Sequence, residues 1–81
     1  MNQGGVVHTS ARNKLPGTIV AIKRGDIMCQ VDIQVGDNHL VAVITSEAAD
    51  EMDLKVGMEV VATFKSTSVM VATLAGPGGG Q

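Results

Sequence analysis

The chain has 81 residues, a formal net charge of -2, 44% apolar residues and a single aromatic, Phe64. A nucleic-acid binder that works by stacking needs aromatic platforms and a basic groove, and neither is present. Cys29 is the only cysteine, so no disulfide scaffold is encoded, and the longest apolar run, Leu40 to Ile44, falls far short of the about 20 residues that cross a membrane.

Residues 1–9 are read as a flexible N-terminal arm and residues 75–81, with four glycines, as a flexible tail. The arm has no basic region followed by an apolar stretch, so it is no signal peptide, and the expected compartment is the cytoplasm. The folded unit is residues 10–74.

Its dominant signal is β. Thr18 to Lys23 is the first strand, and Arg24-Gly25-Asp26 is the turn after it. This tripeptide matches a cell-adhesion motif, but glycine and aspartate at a hairpin junction explain it fully. Met28 to Val35 is the clearest strand: Cys29, Val31, Ile33 and Val35 fall on one face, Met28, Gln30, Asp32 and Gln34 on the other. Gly36-Asp37-Asn38 then turns the chain into His39 to Thr45. There Leu40, Ala42 and Ile44 make one apolar face and Val41 and Val43 a second. A strand apolar on both faces is covered on both.

Ser46 to Met52 is one short helix, with Ser46 as its expected cap and early acids that suit the helix dipole. Leu54 to Met58 turns into the fourth strand, Glu59 to Lys65. The fifth, Val69 to Leu74, is again apolar on both sides. The expected fold is all-β: a small five-stranded OB-like barrel with one short helix between strands 3 and 4. A chain this short has little material to cover second faces, so a partner subunit is expected.

No catalytic set is recognisable. His8 and His39 have no cysteine or carboxylate at metal-ligand spacing. No nucleophile elbow, P-loop or dinucleotide fingerprint occurs. Cys29 sits on the apolar phase of its strand, as a core residue does. The chain is read as a binding protein, not an enzyme, with no cofactor and no direct cation ligands.

The informative feature is where the charges fall. All eight acids lie between Asp26 and Glu59. The acid-free ends each join a cation to small polar side chains: Ser10-Ala11-Arg12-Asn13 and Lys65-Ser66-Thr67-Ser68. A fully deprotonated oxyanion accepts hydrogen bonds and donates none. Its ideal shell is guanidinium, ammonium, hydroxyl and backbone N–H, with no carboxylate nearby. Ordinary solvated lysines and serines share this composition, so composition alone does not decide the matter.

Ser10-Ala11-Arg12-Asn13-Lys14-Leu15 with Gly17-Thr18-Ile19 resembles the opening signature of the Mop domain of the molbindins, relatives of TOBE domains. The resemblance continues through Val41 to Ser46 and Leu54 to Val60, and closes with Phe64-Lys65-Ser66-Thr67-Ser68-Val69-Met70-Val71-Ala72. It covers nearly all of residues 10–74. It implies an OB-like barrel assembled as a hexamer, a trimer of dimers, that binds molybdate or tungstate at subunit interfaces. By motif position, Ser10, Arg12, Lys65 and Ser66 contact the anion, and Thr45 reaches in from an adjacent subunit. Ala11, Asn13 and Thr67 lie in the same motifs as secondary candidates. The expected function is cytoplasmic storage and homeostasis of the anion, without nucleic acid or membrane partners. The alternative is a molybdate-sensing module of a transporter or transcription regulator. The 81 residues hold no DNA-binding or nucleotide-binding segment, which favours storage.

Overall fold

The computed structural model describes residues 9–74. The predicted arm, apart from Thr9, and the predicted tail lie outside the described residues. Four antiparallel strands form one sheet in the order β3-β2-β1-β4, with β1 at Asn13–Arg24, β2 at Met28–Val35, β3 at Asn38–Thr45 and β4 at Glu59–Phe64. A single short helix, α1, spans Ser46–Glu51 between β3 and β4. The architecture is all-β and barrel-like.

β1 organises the sheet. It begins five residues earlier than the alternation of Thr18 to Lys23 suggests, because Leu15-Pro16-Gly17 carries no clean period of two. Its first half, Asn13 to Thr18, pairs with β4. Its second half, Thr18 to Arg24, pairs with β2. The strand changes neighbours at Thr18, and a bulge follows between Ile19 and Ala21, where bulges add twist. Gly17 sits at this crossing. A Cβ there would lie 2.6 Å from the Gln34 carbonyl oxygen and 2.7 Å from an Ile33 methyl, so only glycine fits. The loop before β4 ties in at the same place. Gly57 N–H donates to the Ile19 carbonyl (2.8 Å), and Ile19 N–H donates to the Met58 carbonyl (2.9 Å).

β2 obeys its alternation. Cys29, Val31 and Ile33 are buried with Ile19 and Ala49 in one core, flanked by Leu40, Ala42, Ile44, Val60 and Ala62. Full burial of a side chain such as Ile19 contributes about 1.5–3 kcal/mol. Cys29 is a core residue, as its phase predicts. The β2–β3 hairpin turns through Gly36 at φ 59°, a left-handed conformation that favours glycine.

The helix cap is Thr45, not Ser46. Thr45 Oγ1 accepts the Ala48 N–H at 3.1 Å. Ser46 is buried instead, and its hydroxyl donates to the Gly25 carbonyl at 2.7 Å, which ties the helix to the β1–β2 turn. Either hydroxyl can cap in principle, and because Ser46 is buried its hydroxyl needs a partner, which the Gly25 carbonyl supplies. The helix ends with Asp53 at φ 53°, where Asp53 N–H donates to Asp50 and Leu54 N–H to Ala49, a Schellman closure.

The fifth strand is not formed. After β4, a 3-10 turn at Ser66–Ser68 leads to residues 69–74, which pair with no strand among the described residues. Met70, Val71 and Leu74 are 93%, 91% and 83% exposed. Alternation reveals the faces of an extended segment, but a strand also needs a neighbour, and none of the described residues supplies one. Both edges of the sheet, β3 and β4, are likewise open. Between them the curved sheet encloses an apolar trough of about 620 Å³, lined by Ile33, Leu40, Ile44, Val60, Ala62 and Phe64 among others. On the other side Val41 and Val43 are more than half exposed, as expected of a two-faced strand standing alone.

Candidate oxyanion-binding site

The two acid-free ends of the sequence meet at one corner of the sheet. The β1–β4 ladder closes with Asn13 opposite Phe64. Continuing that register by one rung places Arg12 opposite Lys65. By the alternation of the strands, both leave the ladder on the same face as Lys14 and Thr63. Arg12, Lys14 and Lys65 are all exposed. The ion pairs of the described residues are Arg24–Asp50, His39–Asp32 and Lys55–Asp53, and none involves these three cations. Glu59 is the acid on β4, and it pairs with Thr18 at the far end of that ladder.

The arm leading into Arg12 is fixed at two points. Ala11 N–H donates to Thr9 Oγ1 (3.1 Å), and the Ala11 side chain is buried. Ala11 therefore serves as an anchor, with its N–H already engaged. The Asn13 side-chain amide donates to the Phe64 carbonyl at 3.3 Å. On the other segment, Lys65 precedes the 3-10 turn, in which Ser68 N–H donates to the Lys65 carbonyl at 2.9 Å. Ser10, Ser66 and Thr67 are exposed beside these cations. The corner thus gathers Ser10, Ala11, Arg12, Asn13, Lys65, Ser66 and Thr67.

Thr45 is elsewhere. It pairs with Met28 at the end of β3, on the Arg24 side of the sheet, whereas Arg12 and Lys65 lie at the Asn13 side. Within one chain it is not part of the corner. Its hydroxyl oxygen accepts the Ala48 N–H, so the hydroxyl hydrogen stays available to an outside acceptor.

Two features escaped the sequence reading. Thr9, assigned to the loose arm, holds the backbone of Ala11, and a hydroxyl two residues before an N–H is the signal for such a turn. A polar group also occupies the outer face of β2. Gln30 Nε2 donates to Asp32 Oδ1 (2.9 Å), and His39 Nε2 lies 3.2 Å from Asp32 Oδ2. The Gln30 bond, the largest effect, holds the Asp32 carboxyl below its ordinary 3.8 against the opposing cost of burial, with lesser help from the His39 contact and the charges of His39 and Lys23. Among the described residues no three His, Cys, Asp or Glu side chains cluster to hold a metal ion. The trough is apolar and is no site for an anion.

Among the described residues this corner of a small barrel-like sheet gathers cations and hydroxyls whose charges no carboxylate answers, the side-chain chemistry that suits an oxyanion. Comparison with known proteins goes further. The TOBE domain family matches residues 9–71. Molybdenum-pterin-binding protein 1 of Clostridium pasteurianum is 38% identical over 63 residues, 76% of this chain and 93% of the relative. A molybdate-binding protein from Sporomusa ovata superposes with a TM-score of 0.78 at 33% identity, over 82% of this chain and 98% of the other. The molybdenum transport protein ModE of Azotobacter vinelandii is 39% identical over 66 residues, 80% of this chain but 24% of that longer protein. The chain belongs to the TOBE family and, within it, to the molybdenum-pterin-binding (Mop) proteins. No helix among the described residues is long and apolar enough to cross a membrane.

Proposed function

We propose that this protein binds molybdate, and tungstate equally, as a cytoplasmic store that buffers the anion. The observation that carries the reading is the approach of the segments bearing Arg12 and Lys65, which adjoin the terminal Asn13–Phe64 rung of the β1–β4 ladder and form no ion pair among the described residues, in a chain whose Mop relatives are named for binding molybdate or molybdenum. The anion is held by charge-assisted hydrogen bonds from Arg12 and Lys65 and by the hydroxyls of Ser10 and Ser66, with Thr67 close by. No bond is made or broken, so capture is reversible. Phosphate carries a proton near neutral pH and needs an acceptor, which a shell of donors lacks.

The site is shared between subunits. Thr45 stands too far around the sheet to serve its own corner and serves a neighbour's instead. Assembly also accounts for the open surfaces. Residues 69–74 of one copy suit the apolar trough and bare strand edges of the next, and Val41 and Val43 are covered in the same way. A hexamer built as a trimer of dimers satisfies both needs. Because the anion bridges subunits, it stabilises the assembly and not the separated chain.

Isothermal titration of the oligomer tests this. Molybdate and tungstate are expected to saturate it, and sulfate and phosphate to bind more weakly. Native mass spectrometry is expected to give a sixfold mass. A well-folded oligomer that gives no saturable heat with molybdate overturns the reading.

The second reading is a sensing module, favoured by the occurrence of the same module within the longer ModE protein. The two separate in cells. Loss of a store lowers total molybdenum and leaves molybdate-responsive transcription intact, whereas loss of a sensor does the reverse.

A further inference from the structure

Arg12 and Lys65 are like charges on facing segments just beyond the last rung of a ladder. Their repulsion works to splay that end, because neither has an acid partner among the described residues. The backbone offers little resistance, since Asn13–Phe64 is the final pair and a turn begins at Ser66. One side-chain bond crosses the gap there. The half-buried Asn13 donates its amide N–H to the Phe64 carbonyl, the residue immediately before Lys65.

We infer that Asn13 is a positioning residue of the oxyanion site: its amide, spent on the Phe64 carbonyl, holds Arg12 and Lys65 face to face and does not contact the anion. The inference rests on the oxyanion reading above and deepens it. One amide N–H is committed across the strands, which fixes the direction of the Asn13 side chain toward β4. Its removal leaves both cations in place but lets them separate. The ligand then has to supply the ordering that the amide supplies beforehand, and affinity falls by that amount. Asparagine suits the task because its short side chain reaches the facing strand with little rotamer freedom to lose. The bond is long for an amide donor at 3.3 Å, and a dianion that draws the two cations together is expected to tighten it.

The test is a double-mutant cycle read by molybdate titration of the intact oligomer. Asn13→Ala is expected to weaken molybdate binding by about three- to tenfold, the scale of one hydrogen bond. The unfolding midpoint of the ligand-free protein and its oligomeric mass should stay near wild type. In a Lys65→Ala background the same substitution should change affinity by less than about twofold, because no facing pair is left to hold. A loss of equal size in both backgrounds overturns the inference, since it makes Asn13 a direct contact or a general stabiliser. Should Asn13→Ala fail to assemble, Asn13→Thr, which suits a strand and lacks the amide, takes its place under the same criteria. A wild type that takes up no molybdate overturns the function reading and this inference with it. A wild type that binds, beside an Asn13→Ala protein of equal affinity, overturns this inference alone.

Discussion

Arg24, on the last rung of β1, points its guanidinium at Asp50 of α1, whereas Arg12, one residue before the first rung, is in no ion pair among the described residues. The two arginines flank the same strand and are both exposed. One charge is answered within the chain and the other is left for something outside it. The reason lies in the sequence. The acids run from Asp26 to Glu59, which puts Asp26 just after Arg24 and Asp50 against it, whereas the strand order carries the Asn13 end of β1 to the acid-free end of β4. A net charge of -2 conceals this division.

The largest effects that could break the comparison are on ligand affinity. Arg12→Ala and Lys65→Ala are each expected to weaken molybdate binding more than tenfold, in line with about 1.5–3 kcal/mol for a hydrogen bond to a charged group. Titration of the two variants against wild type checks this, and near-wild-type binding in both sinks the site. Next in size is the hinge between the two ends of β1. Gly17→Ala forces a methyl to within 2.6 Å of the Gln34 carbonyl oxygen, and a backbone atom cannot swing aside. We expect a loss of about 1–3 kcal/mol, the scale of overpacking. Urea unfolding at fixed protein concentration should show it as a lower midpoint, and an unchanged midpoint would mean that β1 does not need its close approach to β2.

Much of this was readable before any coordinates. The period of two across Met28 to Val35 gave β2 and the core position of Cys29, because one buried face imposes that pattern. The acid-free motifs gave both halves of the corner. Their meeting is implied by the family resemblance and not by periodicity, because it follows from the pairing of β1 with β4, and register is a tertiary property. The start of β1 was hidden because Pro16 and Gly17 break the alternation at the very place where the strand bends. The sequence offers both Thr45 and Ser46 as hydroxyls at the start of α1, and only the burial of Ser46 against the Gly25 carbonyl distinguishes them. The fifth strand is suggested by apolar residues that do exist, but a strand needs a neighbour, and residues 69–74 pair with none of the described strands. Thr9 was passed over since a single hydroxyl in a polar arm carries no periodic signal.

The smallest effect is the one that sharpens the comparison most. Arg24→Ala removes a cation of the same kind from the other end of the same strand. Its partner, Asp50, is exposed, as Arg24 itself is, and exposed pairs contribute about 0–1 kcal/mol. Stability should therefore fall by no more than that. Molybdate affinity should stay within about twofold, because salt screens charges separated by more than a Debye length of about 10 Å. Lowering the salt makes the comparison stricter. If bulk positive charge captured the anion, Arg24→Ala and Arg12→Ala would weaken binding alike, and increasingly so as the salt is withdrawn. If the opposed pair at the Asn13–Phe64 end does it, Arg12→Ala remains the far larger loss at every ionic strength. Titration of both variants across a salt series separates a located site from a general field, and equal losses would remove the distinction between the two ends of β1.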